Sequence, residues 1–246
     1  MDQRTLESGV SKMHDLVDEH PILTFSWRSS YPYSSSLRQP ILDAGQTLLT
    51  TSDERLKGRF GQLAASADPA VAAQARTLLA MARGSAHNIV ANSGFEAETP
   101  LDGWWSGTHF GTGSVRLTQH DSHQGANAVV VRGTWDGYGG VFRKDVPARP
   151  GESYIYVLRA RWDGEPAVGT ACQMLSQFID ERGEVVHATT HGYKFWPDGQ
   201  WAAYLIQTPV APPGTVSMNV RVDVMAQPTE GHETYFDDLE AYLVAR

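Results

Sequence analysis

Asn88-Ile-Val-Ala-Asn-Ser-Gly-Phe-Glu96, followed by Gly103-Trp104-Trp105, opens a long strand-rich region that closes on Tyr235-Phe-Asp-Asp-Leu-Glu-Ala-Tyr-Leu-Val244. Between these ends Gly, Thr, Val and aromatic residues dominate, turn signals recur, and apolar and polar residues alternate with period two. The strands read from that alternation are 114–119, 126–132, 140–146, 153–162, 172–180, 184–189, 201–210, 216–225 and 233–244. Pro and Gly stand where hairpins need them in Ala148-Arg-Pro-Gly-Glu152, Asp180-Glu-Arg-Gly183 and Ala211-Pro-Pro-Gly214. About nine strands without intervening helices predict a sandwich rather than a parallel sheet.

Residues 1–86 read as helices instead. Leu6, Val10, Met13 and Val17 recur at three-to-four spacing until His20-Pro21 stops the run. Residues 24–36, rich in Ser, Tyr and Trp, read as a loop, and a helix is expected over 37–49. Ser52-Asp-Glu54 starts another, with Leu56, Phe60 and Leu63 on one face. Asp68-Pro69 offers an N-cap followed by proline at the first helical position, where a missing N–H costs nothing. Val71, Ala75, Leu78, Leu79 and Ala82 form its apolar stripe, and Gly84 is the expected C-cap. The expected organisation is a helical region over 1–86 and a sandwich over 87–246, mainly β as a whole.

Composition is that of a globular protein, 41% hydrophobic and 20% charged. No apolar run approaches the roughly 20 residues needed to span a bilayer, so no membrane partner is expected. The net charge of −8 disfavours nucleic acid, whose phosphates want a basic face. Cys172 stands alone, so no intrachain disulfide forms. That suits a cytosolic protein, and equally a secreted bacterial one that relies on a large core. Met1-Asp-Gln-Arg4 is polar and has no apolar stretch of a secretion signal. A start inside a helical region is expected of a piece of a longer chain.

The two ends of the strand-rich region resemble the first and last strands of the carbohydrate-binding modules of families four, nine and twenty-two. There the pattern runs Asn-Leu-Val-x-Asn-Gly-x-Phe-Glu, then Gly-Trp, then a final aromatic-x-Asp-Asp-hydrophobic strand. The likeness covers residues 88–244 and implies a jelly-roll β-sandwich that holds sugar and performs no reaction. It further implies a structural calcium ion that pins the chain ends, with Glu96 and Asp237 carried over as ligands. Carbonyls near Asn88 and from His123-Gln-Gly-Ala-Asn127 would complete the set. Calcium takes six to eight oxygens, mixing carboxylates and carbonyls. Asp237 alternates with Tyr235 and Leu239, so it is expected to point inward, where a carboxylate needs a partner. Ser93 departs from the family's Gly, and an Asp hydrogen-bonded to turn amides is the alternative.

Alternation sorts the strand faces. Tyr154, Tyr156, Leu158, Ala160 and Trp162 oppose Ile155, Val157, Arg159 and Arg161. Cys172, Met174, Ser176 and Phe178 oppose Gln173, Leu175, Gln177 and Ile179. Val216, Met218, Val220, Val222 and Val224 are a core set, so Asn219, Arg221 and Asp223 point away. Arg, Gln and Asn each offer several hydrogen bonds in a fixed plane, which suits sugar hydroxyls. Gln173 and Gln177 resemble the pair of cleft glutamines in family-four modules. The expected ligand face is Arg159, Arg161, Gln173, Gln177, Asn219 and Arg221; the competing reading is a merely solvated sheet face.

Aromatic rings add an apolar platform for a pyranose. Trp104, Trp105, Trp135, Tyr138, Tyr193, Phe195, Trp196 and Trp201 fall in or beside loops. Trp104 and Trp201 read as core plugs, whereas Trp135, Tyr138 and Trp196 are candidates for a stacking wall. Signs of catalysis are weak. Asp237 and Asp238 face opposite ways and cannot flank one glycosidic bond. His187-Ala-Thr-Thr-His191 lacks the helix and Glu of a zinc protease. No Gly-x-Ser-x-Gly elbow occurs, and Cys172 is expected to be inert packing.

The sequence therefore predicts a non-catalytic, extracellular or cell-surface accessory region. It would bind an oligo- or polysaccharide beside a catalytic domain of the same longer chain. The rivals are a jelly-roll lyase or glycoside hydrolase, and a purely structural sandwich.

Overall fold

Short local signals fix the helices. The structure, a computed structural model, describes residues 39–110, 113–132, 138–164, 170–186, 191–225 and 232–245. Three helices lie among them: α1 (Gln39–Thr51), α2 (Glu54–Leu63) and α3 (Pro69–Ala82). The Asp53 side chain accepts from Arg55 N, and the Asp68 side chain accepts from Ala70 N and Val71 N. Each cap satisfies amides that the first turn leaves unpaired, worth about 1 kcal/mol. Leu56 and Phe60 are buried on α2, and Ala75, Leu78 and Leu79 on α3, as the spacing predicts. Gly84 follows α3 at φ 66, a left-handed conformation that ends the helix. The readings over 6–21 and 24–36, and those at Trp135 and His187, lie outside the described residues.

The chain divides into two compact units, Met1–His87 with Val244–Arg246, and Asn88–Leu243. The second is an all-antiparallel sandwich. Its strands are β1 (Trp105–Phe110), β2 (Ser114–Thr118), β3 (Ala128–Arg132), β4 (Tyr138–Pro147) and β5 (Tyr154–Asp163). They continue as β6 (Ala171–Ile179), β7 (His191–Phe195), β8 (Ala202–Gln207), β9 (Ser217–Met225) and β10 (Glu233–Leu243). A front sheet runs β1-β4-β9-β6-β7 and a back sheet β2-β3-β10-β5-β8.

The inward sets are the ones alternation names. Tyr154, Tyr156, Leu158, Ala160 and Trp162 of β5 meet Cys172, Met174 and Phe178 of β6 and Met218, Val220, Val222 and Val224 of β9. Each fully buried apolar side chain of this size contributes about 1.5–3 kcal/mol. Cys172 is fully buried, and burial pushes its thiol far above the ordinary range, so it packs as a small apolar residue. Val216 departs from its expected place: it precedes β9, is 45% exposed, and donates its N–H to Ile179 O.

Two edge strands, β1 and β7, were not predicted. Trp105-Ser-Gly-Thr-His-Phe110 and His191-Gly-Tyr-Lys-Phe195 carry glycines and weak alternation, as strands paired on one flank tolerate. The strand expected over 184–189 is reduced to an isolated bridge between Ile179 and Val185, and residues 187–190 are not described.

The chain ends meet as the two motifs imply, though residues 88–96 form no regular strand. Ile89 N donates to Ala241 O at 3.0 Å, Leu239 N to Ser93 O at 3.0 Å, and Ala241 N to Asn88 Oδ1 at 3.1 Å. Trp104 plugs this end, packing on Phe95 and donating its indole N–H to Asn92 O at 2.9 Å. Asp237 breaks the expected alternation. Phe236 and Leu239 both face the core, because a bulge between Asp237 and Glu240, with Asp238 at φ 48, switches faces. Asp237 therefore lies on the outer side, opposite Arg159 in register, yet is fully buried.

The sandwich contains both end motifs and its own core, and about 155 residues suffice for an independent domain. A chain of residues 88–243 is expected to unfold in one cooperative transition on heating; an insoluble or non-cooperative fragment would show that the helices belong to the same folding unit.

Candidate functional site

The outer face of the front sheet gathers four of the predicted ligand residues, Gln173, Gln177, Asn219 and Arg221. Outward positions of β9 are Asn219, Arg221 and Asp223; those of β6 are Gln173, Leu175 and Gln177. The register sets Gln177 opposite Asn219, with an Asn219 Nδ2 to Gln177 Oε1 hydrogen bond of 3.2 Å. Gln173 stands between Asp223 on β9 and Lys194 on β7. Arg221 stands between Leu175 on β6 and Phe142 on β4. At the β1 edge, Trp105 lies opposite Phe142 with ring centroids 4.8 Å apart and is 39% exposed. Five strands at about 4.8 Å spacing make a face about 19 Å across.

Arg221 Nε donates to Asp223 Oδ2 at 2.5 Å, two residues along the same strand face. Asp223 is only 2% exposed. Gly140 lies beside it in register, where a Cβ would strike Val222 O and come within 2.9 Å of Asp223 Oδ1. Burial pushes the Asp223 carboxyl up to about 6, against the opposing pull of the Arg221 guanidinium.

Arg159 and Arg161 are not part of this face. Both lie on β5 in the back sheet, whose outward side chains point the other way across the sandwich. Arg161 stacks over the Tyr235 ring at 4.1 Å, lies 5.8 Å from the Trp201 ring, and is ion-paired with Asp121. Trp201 donates its indole N–H to the same Asp121 at 3.3 Å. Trp201 is thus a half-buried member of this outer cluster, not an end plug. Arg159 sits among Glu240, Asp238, Tyr242 and Asp237, and burial lowers its pKa. Ile155 and Val157 on the same face of β5 are buried. Trp196 follows β7 and is half-buried, packed against the core cluster. Trp135 and the Tyr138 side chain lie outside the described residues.

The predicted cation ligands converge on one turn. Glu96 Oε1 accepts from Ala126 N at 2.8 Å and Asn127 N at 2.7 Å, and Oε2 from Asn127 Nδ2 at 3.0 Å. Asp237 Oδ2 accepts from His123 N at 2.8 Å and Gln124 N at 3.2 Å, and Oδ1 from Asp238 N at 2.8 Å. Gly125, at φ 68, has no room for a Cβ, which would strike Glu96 Oε1. Burial and the Asp238 charge push the Asp237 carboxyl up to about 7, opposed by those amide hydrogen bonds. His123 Nδ1 lies 2.6 Å from Asp238 Oδ2. No group of three or more His, Cys, Asp or Glu suited to a metal occurs among the described residues.

Alternation places Leu175 on this face beside Gln173 and Gln177, whereas Phe142 and Lys194 were not singled out in the sequence. Phe142 alternates with Gly140 and Lys144, which was a usable signal; Lys194 lies on the unpredicted strand β7.

No protein-family model matches the chain, and the curated proteins give no match. Among solved structures, the chain is similar to the enzymatically active domain of tailspike protein 4 of bacteriophage CBA120. The identity is 15% and the TM-score 0.52, covering 64% of this chain and 21% of that one. The chain thus spans about a fifth of the tailspike's length. The CBM22-1 xylan-binding domain from Paenibacillus barcinonensis Xyn10C aligns at 14% identity and a TM-score of 0.45, over 65% of this chain and 97% of that one. TmCBM61 in complex with beta-1,4-galactotriose aligns at 17% identity and 0.46, over 65% and 99%. At these identities the likeness is one of fold, a β-sandwich of this kind. No helix among the described residues is long and apolar enough to cross a membrane.

Asp223 gives a pH test with a definite sign. Its folded pKa is raised, so the stability it contributes is complete below about pH 4 and is lost as pH rises through about 6. A shift of about two units corresponds to roughly 3 kcal/mol at most. Denaturant titrations of wild type and Asp223→Asn should show wild type losing ground to the variant between pH 4 and 7. A gain over that interval would contradict the assignment.

Proposed function

We propose that the sandwich is a non-catalytic glycan-binding part of a larger, extracellular protein, and that the outer face of the front sheet is its binding surface. The observation that carries the reading is the Trp105–Phe142 ring pair at the edge of a row of planar polar groups, Arg221, Asn219, Gln177 and Gln173. Rings receive the CH face of a sugar, and amide and guanidinium planes receive its hydroxyls. Binding by this part would raise the local substrate concentration for a catalytic domain in the same chain.

A hydrolase reading has less support. Two carboxylates must flank a glycosidic bond, and the described strands of the front sheet supply only Asp145 and Asp223. Each is engaged by a neighbouring arginine. A lyase would add Tyr and His beside Arg221.

The calcium reading belongs to the chain ends. Glu96 and Asp237 would hold the ion, each with one oxygen that accepts a single hydrogen bond. Two carboxylates on one turn suit a hard cation. A Cβ position at Gly94 lies 3.2 Å from Asp238 Oδ1 and 3.7 Å from Asp237 Oδ1, a concentration of negative charge that favours one. The same six hydrogen bonds also suffice to fasten the turn without metal.

A glycan array followed by titration with the best soluble ligand tests the binding reading. Trp105→Ala and Gln177→Ala should each weaken binding by roughly 1–2 kcal/mol, about fivefold to thirtyfold. Arg161→Ala, on the opposite sheet, should leave affinity unchanged. The reverse pattern would move the site to the back sheet, and turnover of the glycan would favour an enzyme.

Melting curves test the cation. Calcium bound only by the native state raises the transition temperature by mass action, so EDTA should lower it and excess calcium restore it. Superimposable curves would leave the amide hydrogen bonds as the whole fastening.

A further inference from the structure

Strand side chains ordinarily rise roughly perpendicular to the sheet, and same-face neighbours two residues apart are separated by about 6.6 Å. Trp105 does otherwise. The next position on its face of β1 is Gly107. A Cβ placed on Gly107 would lie 3.2 Å from both Cη2 and Cζ2 of the Trp105 indole, and 3.8 Å from Cε2. The indole therefore leans along β1 and takes up space that a side chain at 107 would fill. Gly107 pairs in register with Gly140 of β4, so neither strand raises a side chain at that level.

Across the strand pair the leaning indole meets Phe142, with ring centroids 4.8 Å apart and planes 34° apart. Phe142 is half-buried and carries Lys144 Nζ 5.3 Å from its ring centroid. The open ring surface of the pair is thus chiefly that of Trp105, which is 39% exposed. Carbon atoms pack best about 3.5–4.0 Å apart. At 3.2 Å a methyl group on residue 107 would make the ring or the strand give by a few tenths of an ångström. A branched side chain would need still more of the space that the indole fills.

Resting on the binding reading above, we infer that Gly107 is a positioning residue of the glycan site. Having no side chain, it lets the Trp105 indole lean onto the sheet beside Phe142, in the attitude that presents the ring to a sugar. Gly107 acts through Trp105. A merely structural role, easing the backbone of β1 ahead of its irregularity between Thr108 and Phe110, would act on stability instead.

A double-mutant cycle separates the two roles. The full chain is titrated by calorimetry with whichever of cellohexaose, xylohexaose and mannohexaose the wild type holds, or else with the tightest soluble glycan of the array. Gly107→Ala should weaken binding about threefold and Gly107→Val about tenfold, within the range of one stacked ring. In a Trp105→Ala background the same substitutions should change affinity by less than about twofold, because no indole is left to displace. Melting curves establish that each variant is folded, and should Gly107→Val fail to fold, the Gly107→Ala cycle decides. Equal losses in both backgrounds, or undiminished affinity with Trp105 present, overturn the inference and leave the binding reading standing. A wild type that holds no glycan, here or on the array, overturns both.

Discussion

A carboxylate buried at the bulge of β10 ties the sandwich together. Asp237 is fully buried, its ionised form is disfavoured by burial and by Asp238, and it is held by three backbone amides. An isolated charge could not remain there. Its hydrogen bonds fix the turn from His123 to Asn127, and Glu96 fixes the other half of the same turn. Glu96 in turn belongs to the opening segment, which pairs with β10 through Ile89 and Leu239. One local arrangement thus closes first segment, turn and last strand onto each other. Most of the remaining connections cross from one sheet to the other, and the inner faces of the strands they join fill a common core.

That architecture decides which side chains can meet. Two sheets packed about 10 Å apart turn their outer faces in opposite directions. Planar polar residues on β5 and on β6 and β9 look equivalent in sequence, because all are outward positions of alternating strands. Sheet membership separates them. Arg159 and Arg161 serve the acidic and aromatic surroundings of β10, where Arg161 is clamped between Asp121 and two rings. Gln173, Gln177, Asn219 and Arg221 share the other surface. No count of residues along one strand reveals this, since strand order depends on connections between distant segments.

What the sequence disclosed follows the range of the interactions involved. Helix caps at Asp53 and Asp68 act within three residues and were readable. The inward sets of β5, β6 and β9 were readable too, because burial of one face imposes strict alternation. The exceptions have physical reasons. Val216 continues an apolar pattern one step past the strand it belongs to, and only pairing with Ile179 marks the end. Asp237 follows the alternation rule in sequence, but the bulge beside it inserts a residue and reverses the side. Edge strands β1 and β7 feel one neighbour instead of two, and their sequences are correspondingly loose. Trp105 looked like any loop aromatic until its pairing with Phe142 placed it on a sheet face.

The chemistry of the front face argues for holding rather than transforming a ligand. Catalysis by two carboxylates needs one acid kept protonated and another kept charged, both aimed at one bond. Asp223 has the raised pKa of a possible acid, but it lies beneath Arg221 and beside Gly140, with almost no exposed surface to offer a substrate. Its effect is instead to neutralise and orient Arg221 within a row of amides. The groups that remain are the exposed Trp105 ring and half-buried amide planes. Groups of these kinds suit stacking and hydrogen bonding, which is what the proposed binding face requires. A surface of this kind gains its usefulness from what it is attached to, because weak binding to a polymer multiplies when a second site on the same chain engages the same polymer.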